Sequence, residues 1–96
     1  VEPEKRILNE VIEILGSEGK IKVLWTLYKG HTPQTTYSII KVTGLKRVDV
    51  KRILETLKKK GIVKESEYRP KKYMLNIENE KTEVLVNFFE KIESCF

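Results

Sequence analysis

The side chains best equipped for chemistry in this chain are basic, and they crowd one stretch. Residues 46–72 hold 11 lysines and arginines against 4 acidic residues, a net of +7, whereas the remainder holds 8 basic and 10 acidic residues, a net of −2. A chain so bipolar suits a polyanion, although a solvated lysine-rich surface would carry the same charge. Arg52 is the first candidate for reading a base, because a guanidinium can pair with guanine N7 and O6 together, and Arg47 is the second. A phosphate contact or a surface ion pair with Glu55 are the plainer uses of Arg52. Val48 could touch a thymine methyl. Asp49 or Glu55 could accept from cytosine, or repel phosphate and limit non-specific binding. Lys46, Lys51 and Lys59 join the same set of candidates. In the run Lys58-Lys59-Lys60 the charges complement a helix end and could meet phosphates, or stay solvated. Thr35, Thr36 and Tyr37 fall in an expected first helical turn, where free N–H groups and hydroxyls can bind a phosphate. Tyr37 could equally be core. Arg69, Lys71 and Lys72 form a basic hairpin tip suited to the backbone or the minor groove.

These side chains need elements to position them, and the apolar spacing supplies the elements. A first helix is predicted from about Pro3 to Leu15, with Ile7, Leu8, Val11, Ile12 and Leu15 at helical spacing. Gly16 ends it and Ser17 can cap a second, from about Glu18 to Tyr28, with Ile21, Leu24, Trp25 and Tyr28 inward. Thr32-Pro33 is read as the start of a third helix reaching about Val42, with Tyr37, Ile40 and Ile39 on its inner side. Thr43-Gly44 makes a turn and Leu45 plugs the core. The fourth helix, about Lys46 to Lys60, has Val50, Ile53, Leu54 and Leu57 on one face and Val48, Arg52, Glu55, Thr56 and Lys59 on the other. After Gly61 the period changes to two. Ile62 to Glu67 and Tyr73 to Ile77 read as paired strands, with a polar wing at about 67–73. Asn79 can cap a last helix, about Glu80 to Cys95, with Val84, Leu85, Phe88, Phe89, Ile92 and Phe96 apolar. The expected class is mainly α with a small β-hairpin, in the order α-α-α-α-β-β-α.

The 96 residues support one domain with one core, and 40% apolar with 34% charged residues marks a globular chain. Three helices and a hairpin would close that core, which leaves the apolar stripes of the first and last helices in want of a surface. Ile7, Leu8, Val11, Leu85, Phe88, Phe89, Ile92 and Phe96 are therefore the expected interface of a homodimer; folding of the last helix onto its own domain is the alternative. No apolar run approaches the roughly 20 residues of a membrane span, and the N-terminus is acidic and polar, unlike a signal peptide. The cytoplasm is the expected compartment, with no membrane partner.

Cys95 is the one cysteine, which excludes an internal disulfide and any multi-cysteine metal cluster. In a dimer pairing the last helices it could bridge the subunits. His31 is a lone loop histidine, a surface residue or a titrating switch. The absence of alanine and the heavy use of Lys, Glu and Ile fit a hot environment or an AT-rich genome. No Ser/His/Asp set, glycine-rich phosphate loop or convergent carboxylate pair occurs, so neither an active site nor a cofactor is expected.

Gly19-Lys20-Ile21-Lys22-Val23-Leu24, Thr43-Gly44-Leu45 and the exit Leu54, Leu57, Gly61, Ile62 and Val63 resemble the winged helix-turn-helix transcription regulators of the arsenical-resistance-repressor (ArsR) type and their archaeal relatives. The similarity spans about residues 5–78. It implies a repressor that binds double-stranded DNA as a dimer on a pseudo-palindromic operator, with the fourth helix in the major groove. Two features depart from the family. Lys46 stands where Ser or Thr usually caps the recognition helix, although Asp49 can still favour the helix dipole. Metal-sensing members use paired cysteines or His/Asp/Glu clusters, which Cys95 and His31 do not supply, so no metal is expected. A winged-helix protein-interaction module and a non-specific architectural DNA-binding protein are the competing readings. The first would show an apolar fourth-helix face, the second a steep salt dependence without sequence preference.

Overall fold

A computed structural model describes residues 3–30 and 32–96; His31 lies outside them. The elements run α1 (Pro3–Leu15), α2 (Glu18–Lys29), β1 (Gln34–Thr35), α3 (Thr36–Thr43), α4 (Arg47–Lys59), β2 (Val63–Glu65), β3 (Lys72–Leu75) and α5 (Glu80–Ser94). The sheet is antiparallel, in the order β1-β3-β2. The hairpin and four of the helices, α1, α2, α4 and α5, stand close to where the spacing puts them. Two of the caps are as read: Ser17 Oγ accepts from Lys20 N, and Asn79 Oδ1 from Lys81 N.

The strand β1 was not anticipated. Gln34 pairs with Tyr73 and Thr35 with Lys72, which holds this backbone extended and delays the third helix. It starts at Thr36 rather than Pro33, and its cap is Thr35, whose Oγ1 accepts from Ser38 N at 3.1 Å, not Thr32. Two strand residues carry too little alternation to be seen in sequence.

The core gathers on α2 and α4. Val23, Leu24 and Leu27 meet Ile39 of α3, Val50, Ile53, Leu54 and Leu57 of α4, and Ile62 and Val63 entering β2. Leu85 and Phe89 of α5 and Ile14 of α1 close it. Three inward assignments fail. Tyr37 lies about 200° round α3 from the fully buried Ile39, and is 63% exposed. Ile21 and Trp25 sit on the edge of the α2 stripe and are partly exposed, Trp25 packing edge-on against Phe89 with ring centroids 5.3 Å apart.

Two glycines make the turns that aim α4 and the wing. Gly44 adopts φ 74° between α3 and α4, and Gly61 adopts φ 79° after α4. The positive φ favours glycine at Gly61, and a Cβ there would also stand 2.8 Å from Asn79 Nδ2 and displace that side chain.

Candidate nucleic-acid interface

Helix α4 is stabilised from its apolar side. Its N-cap, Lys46, makes no side-chain hydrogen bond, and Asp49 supplies the negative charge in the first turn. With Val50, Ile53, Leu54 and Leu57 buried, Lys46, Arg47, Val48, Lys51, Arg52, Glu55 and Lys59 are all exposed. Arg52 donates from Nη2 to Asp49 Oδ1 at 3.2 Å, so its ion-pair partner is Asp49 rather than Glu55. The pair is exposed and costs little to open, which leaves the guanidinium free to turn outward.

The three lysines at the end of α4 have different fates. Lys58 Nζ lies 3.0 Å from Glu65 Oε1 on β2. Lys60, only 16% exposed at its side chain, reaches Glu10 at 2.8 Å and Glu13 at 2.7 Å on α1. Lys81 of α5 also bonds Glu10. Lys59 forms no ion pair among the described residues. Hydrogen bonds from Lys60 and then Lys81 hold the Glu10 carboxyl below the usual glutamate range, and Glu10 and Glu13 push the Lys60 ammonium up.

The wing is built on its own bonds. Ser66 N donates to Lys72 O at 2.8 Å, Lys72 N to Ser66 Oγ at 3.0 Å, and Ser66 Oγ to Tyr68 O at 3.1 Å. Tyr68, Arg69 and Lys72 are exposed at the tip. Lys71 instead turns back to Glu65 Oε2 at 2.8 Å. Hydrogen bonds from Lys71 and then Lys58 hold the Glu65 carboxyl low, and Glu65 raises the Lys58 ammonium.

At the start of α3, Thr35 and Thr36 are half-buried and Tyr37 is exposed. The Thr35 oxygen is occupied as an acceptor by the cap. Lys41 Nζ stands 5.7 Å from the Tyr37 ring centroid, a cation–π contact that sequence reading overlooked. The signal was the i, i+4 spacing of an aromatic and a lysine on one helix face.

The α1–α5 side has the opposite character. Ile7, Leu8, Val11 and Ile12 of α1 and Val84, Phe88 and Ile92 of α5 are exposed, as is Phe96 beyond it. An open groove of about 620 Å³ runs between the two helices, lined by Ile7, Val11, Val84 and the paired Glu10 and Lys81. Leu85 and Phe89, expected at a subunit interface, are 7% and 5% exposed and belong to the domain's own core. One face of α5 therefore folds back on its own domain. Tyr28 and Lys29 fasten its far end: Tyr28 donates to Glu93 Oε1 at 2.5 Å and Lys29 to Glu93 Oε2 at 2.7 Å. The hydrogen bond to Glu93 pushes the Tyr28 phenol up to about 12. Cys95 is exposed. Among the described residues no group of three metal-ligating side chains forms, and no helix is long and apolar enough to cross a membrane.

The family model described as "Sugar-specific transcriptional regulator TrmB" matches residues 12–76. No curated protein matches the chain significantly. Among solved structures, a predicted DNA-binding transcriptional regulator from E. coli is similar at 12% identity and TM-score 0.71, over 93% of this chain and 92% of that one. An ArsR-like transcriptional regulator from Rhodococcus sp. RHA1 shows 20% identity and TM-score 0.65, over 91% and 77%. The homodimeric winged helix-turn-helix DNA-binding domain of a possible ArsR-family regulator from Mycobacterium bovis shows 17% identity and TM-score 0.67, over 98% and 87%. At these identities the likeness is one of fold, and the fold is the winged helix.

Proposed function

Since the chain belongs to the TrmB family of transcriptional regulators, we propose that it binds a specific double-stranded DNA sequence in the cytoplasm as a homodimer and represses by occupying a promoter. Helix α4 enters the major groove. Arg52 and Arg47 read guanine, Val48 meets a thymine methyl, and Lys46, Lys51 and Lys59 line the phosphates. Thr35, Thr36 and Tyr37 lie over the backbone at the start of α3, and Arg69 and Lys72 reach the backbone or minor groove from the wing. No catalytic step, cofactor or metal enters this reading.

The observation that carries it is the short bridge from α4 to the wing. Lys58, Glu65 and Lys71 span the end of α4, β2 and the tip within 3.0 Å at each step, so the wing stands beside the helix it must accompany on one duplex. The exposed face of α4 carries Lys51, Arg52 and Lys59 where a protein-interaction module would present apolar side chains.

Dimerisation is supported by the apolar side chains that α1 and α5 leave uncovered, and the Mycobacterium bovis domain of the same fold is homodimeric. Selection of bound sequences from a random duplex pool tests the whole reading. An inverted repeat with half-sites about 34 Å apart is the expected product. Retention of DNA without sequence enrichment would favour an architectural role, and no retention at low salt would favour a protein-interaction module.

A further inference from the structure

Two cations from different elements share one carboxylate at the junction of α4 and the wing. Lys58 Nζ is 3.0 Å from Glu65 Oε1, and Lys71 Nζ is 2.8 Å from Glu65 Oε2. Glu65 is the least exposed of the three, at 21% of its side chain against 40% for Lys58 and 39% for Lys71. Its backbone is fixed as well, paired with Tyr73 in the β2–β3 ladder. Each of its oxygens therefore serves one ammonium, and the three groups bring one net positive charge to the surface rather than two. Neighbouring Lys51, Lys59, Arg69 and Lys72 have no such partner among the described residues.

We propose that Glu65 is a specificity-determining residue of the DNA-binding surface: it clamps Lys58 and Lys71 between recognition helix and wing and withholds their charge from indiscriminate phosphate contact. The inference rests on the DNA-binding reading above. Its physical basis is simple. Non-specific affinity grows with every ammonium free to replace a counterion on the duplex, while base contacts do not depend on these two lysines. A carboxylate near DNA also repels phosphate, so the clamp keeps background binding low while holding the wing in place. Glu55, one turn before Lys59 on the exposed face of α4, adds negative charge near Lys58.

The test compares the salt dependence of binding to random duplex for the full chain and its Glu65→Gln variant. Freed lysines should steepen the slope of log K against log salt by about 0.9 for each new phosphate contact. Random-duplex affinity at low salt should rise several-fold, and the ratio of selected-sequence to random affinity should fall. Adding Lys58→Met and Lys71→Met to Glu65→Gln should remove the added slope, which a merely structural role for Glu65 would not do. A folded Glu65→Gln protein with the wild-type slope and random-duplex affinity would overturn the inference while leaving the DNA-binding reading intact. Failure of the wild-type chain to bind any duplex would overturn both.

Should Glu65→Gln fail to fold, the wild-type chain decides alone. The side-chain ammonium NMR signals of Lys58 and Lys71 should stay in place when random duplex is added, while those of Lys51 and Lys59 move. Equal movement of all four would overturn the clamp.

Discussion

Helix α4 buries Val50, Ile53, Leu54 and Leu57 and shows solvent a mostly charged surface, whereas α1 buries Ile14 and leaves Ile7, Leu8, Val11 and Ile12 against water. Both helices are amphipathic, but only α4 has its apolar side covered within one chain. A covered helix with a cationic exterior needs no further apolar partner, and its charge suits a polyanion. A helix with an apolar exterior forgoes about 25 cal/mol for every Å² left uncovered, and large patches of this kind mark interaction surfaces. The same contrast recurs within α5, where Phe88 and Phe89 are neighbours in sequence and point to different fates. One belongs to the domain's core and the other is left against water.

Phe89→Ala should break the comparison most severely. Removing a buried phenylalanine that packs against the rings of Trp25 and Tyr28 should cost about 3–5 kcal/mol in urea unfolding. Phe88→Asp should leave the domain folded, shift sedimentation to the monomer, and weaken binding to an inverted repeat by about a hundredfold as avidity is lost. Equal stability losses for the two variants would erase the distinction between the faces. On the cationic side, Arg52→Ala should weaken binding to the selected sequence by about 1–3 kcal/mol and relax one base position. An equal loss on random duplex would make Arg52 a phosphate contact.

Lys60→Met tests the tie between the regions, because Lys60 joins the end of α4 to Glu10 and Glu13 of α1. A destabilisation of about 1–2 kcal/mol is expected, between the values for exposed and buried pairs, with both glutamates left facing each other. The smallest effect concerns pH. Glu10 is held below the usual glutamate range when folded, so its contribution is present above the ordinary glutamate pKa and is lost as pH falls through the lowered value. Thermal melts of Glu10→Gln should differ from wild type at neutral pH and converge in acid. A difference that persists unchanged in acid would contradict the pairing.

Most of the fold was legible because its helices announce themselves. Ser17, Gly44, Gly61 and Asn79 act as the caps and turns their types suggest, and the buried face of α4 is the one its period marks. The failures are equally specific. Gln34 and Thr35 were hidden because a two-residue strand is defined by its partners Tyr73 and Lys72, nearly 40 residues away. Tyr37 and Trp25 were placed inward by residue type, but the centre of each helix's buried stripe falls on Ile39 and on Val23, Leu24 and Leu27. Leu85 and Phe89 were given to a dimer because the period of α5 shows how wide its apolar stripe is, not how much of it the domain covers. The candidate site was readable as charge along α4 and the wing. Its internal pairing was not: Asp49 with Arg52, Glu65 with Lys58 and Lys71, and Lys41 over Tyr37 depend on geometry that charge counting does not contain.

An amide NMR titration of the chain with its selected duplex addresses the two faces together. The largest shifts should fall on residues 46–52 and 68–72, with α1 and the outer face of α5 unmoved. Shifts concentrated on α1 and α5, with α4 silent, would contradict the assignment of α4 and the wing to DNA.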